Sequence, residues 1–100
     1  MTKVTIDGDH ISVKGHAMFD YHGKDLVCAA ISSIVITSVN GVLAVDDDAL
    51  EFKQGSGFID IRIKKHDKVT DALIRNMIDL LKELETQYKK NIKVEEVHYD

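Results

Sequence analysis

The chain has 100 residues, 44% of them hydrophobic and 30% charged, with one cysteine, no proline and a net charge of −4. That length suits a single domain, residues 1–100, able to close a core without disulfides, and its mild acidity and scattered lysines argue against direct binding of nucleic acid. One cysteine excludes an internal disulfide, and the opening "MTKVTIDGDH" has no apolar signal core, so a reducing cytoplasm is the expected setting.

Lys3 to Ile6, "KVTI", and His10 to Lys14, "HISVK", alternate and are rich in β-branched residues. Asp7-Gly8-Asp9 between them is a tight-turn signal, which predicts a β-hairpin. Ala17 to Lys24 has mixed polarity and no period and reads as a loop, with Gly23 near its end. Asp25 then stands where a helix N-cap belongs, ahead of "LVCAA".

The continuation "ISSIVITSVNGVLAV" is ambiguous. Its β-branched residues and Asn40-Gly41 suit a hairpin. Its apolar residues at 27, 31, 34, 35, 39, 42 and 43 suit a helical stripe equally well. Leu26 to Val45 is broken by Ser32, Ser33, Thr37, Ser38, Asn40 and Gly41, and reads as too polar for a membrane span. No membrane partner is expected.

Asp46-Asp47-Asp48 is a solvated break that lacks the alternating ligands, glycine and glutamate of a calcium loop. Ala49 to Lys53, "QGSG" and Phe58 to Lys64 form a second predicted hairpin, with Ile59, Ile61 and Ile63 on one side. "QGSG" has no lysine placed for a phosphate loop and reads as its turn. Asp67 or Thr70 caps the next helix. Val69, Leu73, Ile74, Met77, Leu80, Leu81, Leu84 and Tyr88 make its apolar stripe to about Lys89. Ile92 to Tyr99 is a last strand. The order ββ-α-ββ-α-β predicts an α+β domain whose mostly antiparallel sheet is packed by two helices.

Cys28 carries the chemistry in this reading. In the first turn of a helix, free backbone N–H groups and the helix dipole favour a thiolate, the attacking form of cysteine. His16 ends the second strand, and the loop is long enough to bring an imidazole back to the sulfur as a base. Composition by itself favours a packed core thiol. His10, His16, His22 and Cys28 recur at intervals of six, too wide for the paired spacing of a zinc site, so no metal and no cofactor is expected. His22 stands in the loop as a substitute base. His66 and His98 read as exposed residues at element ends.

"GHA" followed by "GKDLVCAAISS" resembles the signature of the bacterial ribosomal-processing cysteine protease family, Prp: Gly-His-Ala, a loop, then Gly-x-Asp-x-Val-Cys-Ala-Ala-(Val/Ile)-Ser. The resemblance extends over the chain in length and element order. It implies a homodimeric cysteine endopeptidase with a Cys–His dyad, acting on a large-subunit ribosomal protein made with a short N-terminal extension. By position, Cys28 matches the nucleophile and His16 the base, with Asp25, Ser32, Gly15 and Gly23 at the supporting motif positions. The resemblance also implies a helix, rather than a hairpin, after Leu26. Asp25 is placed to cap that helix, to orient His16, or to do both. Ser32 is placed to bond back to a helix carbonyl or to steady the dyad. Met18, Phe19, Tyr21 and His22 would form a loop closing over an apolar peptide. The competing expectation is a non-catalytic ribosome-assembly module, with Cys28 packed and the loop a peptide-docking surface.

Overall fold

Glycines set both hairpin turns. Gly8 and Asp9 link β1 (Thr2–Asp7) to β2 (His10–Lys14), and Gly8 takes a φ of +56°, a left-handed value that costs glycine little. Ser56 and Gly57 link β3 (Leu50–Gly55) to β4 (Phe58–Ile63), with Gly57 at a φ of +80°. The computed structural model describes residues 1–15 and 26–97. Its remaining elements are α1 (Leu26–Val45), α2 (Lys68–Gln87) and β5 (Ile92–Val97).

The five strands form one sheet in the order β3-β4-β2-β1-β5. Three neighbouring pairs are antiparallel, and only β1 and β5 run parallel. This is the expected α+β arrangement. Alternation gives the sheet two unlike faces. Val4, Ile6, Ile11, Val13, Ile59, Ile61 and Ile63 join a continuous apolar core with residues of both helices. Lys3, Ser12, Lys14, Asp60 and Arg62 lie on the other face, where His10 Nε2 is hydrogen-bonded to Asp60 Oδ1.

Residues 26–45 form one helix, so burial decides what propensity left open. Val27, Ile31, Val35, Val39 and Val42 recur every three or four positions and are all buried. Asn40-Gly41 lies inside α1 and makes no turn. The expectation that this stretch is too polar to span a membrane needs correction: as an unbroken helix it is long and apolar enough by composition. The reason is its place in the fold. One side fills the core, and α1 also packs along α2, so its serines and threonines are spread among aliphatic side chains.

Asp67 caps α2, its carboxylate accepting from the Thr70 N–H at 2.8 Å. Ile74, Met77, Ile78 and Leu81 are buried, whereas Val69, Leu80 and Tyr88 from the predicted stripe are exposed at its margins. Just before α2, His66 bridges two elements: Nδ1 meets Asp71 at 2.9 Å and Nε2 meets Asp9 at 2.6 Å. The bond to Asp71, then the bond and charge of Asp9, raise the His66 pKa. A raised folded-state pKa stabilises fully below the ordinary value of 6.5, and that contribution is lost as pH rises through the folded value. The clasp is exposed, so its effect is modest. The melting-temperature gap between wild type and His66→Ala should therefore be larger near about pH 5.5 than near about pH 8.5. Equal gaps at both pH values would remove this role.

Candidate active site

Strands β1 and β5 begin at the same end of the sheet, and β2 finishes there. Thr2 lies in register with Ile92, and its N–H donates to the Asn91 carbonyl at 2.8 Å. Lys14 pairs with Lys3 on one side and Phe58 on the other. The Gly15 N–H then donates to the Gly57 carbonyl at 3.1 Å. The first turn of α1 meets this edge, where Cys28 Sγ stands 3.7 Å from Thr2 Oγ1.

Cys28 is the third residue of α1. The dipole at the start of a helix favours negative charge there. The side chain is buried at 5% exposure, between Val27 and Ile31 of the same buried helix face. Its contact with a hydroxyl separates it from a thiol packed only among hydrocarbon groups.

Gly15 makes a close backbone approach in this corner. A Cβ there would sit 2.8 Å from both Thr2 Cα and Thr2 Oγ1, and 3.1 Å from the Met1 carbonyl oxygen. Two of these atoms are backbone, and Thr2 is held in the β1–β5 pairing, so they cannot easily yield. Gly15→Ala should lower stability by about 1–3 kcal/mol through overpacking. Urea unfolding measures it, and an unchanged midpoint would show that the corner can relax.

Of the residues expected at the site, the structure describes three. Gly15 and Cys28 both meet Thr2, and Ser32 is half-buried one helical turn beyond Cys28. Among the described residues, Ser38 of α1 bonds back to a helix carbonyl, donating to the Ile34 oxygen at 2.6 Å. His16, Met18, Phe19, Tyr21, His22, Gly23 and Asp25 lie outside the described residues, as does the expected cap at Asp25.

Thr2 was absent from the candidates because the predicted strand began at Lys3. The signal was available: extending the alternation back by one residue puts Thr2, Val4 and Ile6 on one face. Elsewhere, the Asp46–Asp48 cluster is a braced turn. One Asp46 oxygen accepts from the Asp48 N–H and the other from Lys65 Nζ, both at 3.0 Å. Its bond to Lys65, then that to Asp48, lowers the Asp46 pKa.

The family model described as "Cysteine protease Prp" matches residues 1–93. The ribosomal processing cysteine protease Prp of Mycoplasma genitalium is 32% identical, with both chains fully covered. That of Bacillus subtilis is 31% identical over 94% of this chain and 96% of its own. The fold also matches a crystal structure of the S. aureus Prp protease with a covalently linked product peptide. There the TM-score is 0.87 at 23% identity, covering 97% of this chain and all of the other.

Proposed function

Because this chain belongs to the Prp family of cysteine proteases, we propose that it removes a short N-terminal extension from a large-subunit ribosomal protein, with Cys28 as nucleophile and His16 as base. The observation that supports this reading is the position of the Cys28 sulfur, buried in the first turn of α1 against the Thr2 hydroxyl.

His16 takes the thiol proton, and the Cys28 thiolate attacks the carbonyl carbon of the scissile peptide. Helix-start N–H groups are the nearby donors for the developing oxyanion. The C–N bond breaks as the imidazolium gives its proton to the leaving amine. Water then adds to the thioester, His16 accepting its proton, and the acid product leaves with the thiol restored. Asp25 and Ser32 are the supporting polar groups. Met18, Phe19, Tyr21 and His22 form the loop that covers the peptide, with Gly23 as its hinge. The enzyme acts in the cytoplasm as a homodimer.

The test is incubation of the purified protein with the extended ribosomal protein of the same organism, read by mass spectrometry. One cut that releases the extension is expected, with His16→Ala slowed by roughly 10²–10⁴-fold. An intact substrate under wild-type conditions would refute the substrate assignment. Full turnover by His16→Ala would remove that histidine from its role.

A further inference from the structure

Thr2 is wholly buried at the start of β1, on the sheet face that packs against the helices. Its N–H is already committed to the Asn91 carbonyl. Its hydroxyl lies 3.7 Å from Cys28 Sγ. The chain also keeps a glycine at position 15, where a Cβ would strike both Thr2 Cα and Thr2 Oγ1 at 2.8 Å. The absence of a side chain at 15 leaves this hydroxyl its place beside the sulfur.

A threonine hydroxyl can donate one hydrogen bond, and sulfur accepts far better as a thiolate than as a thiol. A bond donated to the charged form of a group favours that form. If the thiol donated to threonine instead, the neutral form would be favoured. The two directions therefore predict opposite shifts of thiol reactivity with pH.

We propose that Thr2 is a positioning residue for the protease reaction: its hydroxyl donates to Cys28 Sγ, holding the sulfur as a thiolate at the opening of α1. The proposal rests on Cys28 being the nucleophile. Thr2 does not touch the substrate. It works through the sulfur, joining the first strand of the sheet to the first turn of the helix. The role requires the hydroxyl and not merely a β-branched side chain of this size.

The test measures iodoacetamide alkylation of Cys28 across pH in wild type, Thr2→Val, Thr2→Ala and Thr2→Ser, with thermal unfolding and peptide cleavage followed in parallel. Valine keeps the shape and removes the hydroxyl, alanine removes it without adding bulk, and serine keeps it. In Thr2→Val and Thr2→Ala the alkylation midpoint should rise by about one pH unit, equivalent to roughly a tenfold loss of thiolate below the midpoint. Cleavage near neutral pH should fall by a similar factor through kcat rather than KM. Thr2→Ser should return both readouts toward wild type. If Thr2→Val unfolds, Thr2→Ala carries the same comparison. A midpoint that stays in place or falls in the folded hydroxyl-free variant overturns the proposal. Cleavage by Cys28→Ala at the wild-type rate would overturn the nucleophile assignment beneath it, a separate and distinguishable failure.

Discussion

Purified Cys28→Ala should remain folded and lose cleavage by at least roughly a thousandfold. No other group at that position can form the acyl-enzyme, and water attack without it forgoes the covalent step. The fold should tolerate the change, because Cys28 is a small buried side chain and alanine removes only its sulfur. Its removal leaves the Thr2 hydroxyl without its sulfur contact, a cost on the order of 1 kcal/mol. Cys28→Ser separates the two effects. It keeps a hydrogen-bonding atom beside Thr2, so stability should stay nearer wild type. It should still fail to cleave, since a serine hydroxyl is far less ionised near neutral pH than a thiol. Mass spectrometry of the extended substrate, with thermal unfolding of each variant, reads both outcomes. Retained turnover in Cys28→Ala would end the proposed mechanism.

The second large effect concerns stability. Ile31 is fully buried on the core side of α1, three residues after Cys28. Ile31→Ala should cost about 2–5 kcal/mol, from lost burial and from the cavity left behind. For a domain of this size that lowers the melting temperature by roughly 10–30 °C. Thr37→Ala, on the exposed side of the same helix, should change stability by no more than about 0.5 kcal/mol. Calorimetry on the two variants compares the faces directly. A small shift for Ile31→Ala would mean that the neighbouring side chains collapse into the space.

Both hairpins and α2 were legible because their signals are local. Gly8 and Gly57 occupy turn positions where positive φ is needed. Ile59, Ile61 and Ile63 alternate strictly, and Asp67 caps a helix whose apolar stripe recurs at helical spacing. The Cys28 motif was legible for a different reason, since its identity rests on residue types at fixed spacing. The margins were not legible: Val69, Leu80 and Tyr88 continue the stripe in sequence but lie beyond the surface that α2 buries.

Alternation, turn glycines and one cysteine motif were determined by the sequence by itself, because each is written within a few neighbouring residues. Propensity left residues 26–45 open, and the structure bears out the helix that the resemblance implied; tertiary structure alone decided that β5 runs parallel beside β1 and that Thr2 meets Cys28. Those outcomes depend on which distant surfaces exclude water together. The hydroxyl and the sulfur are separated by 26 positions, and only the packing of α1 against the start of β1 brings them within reach.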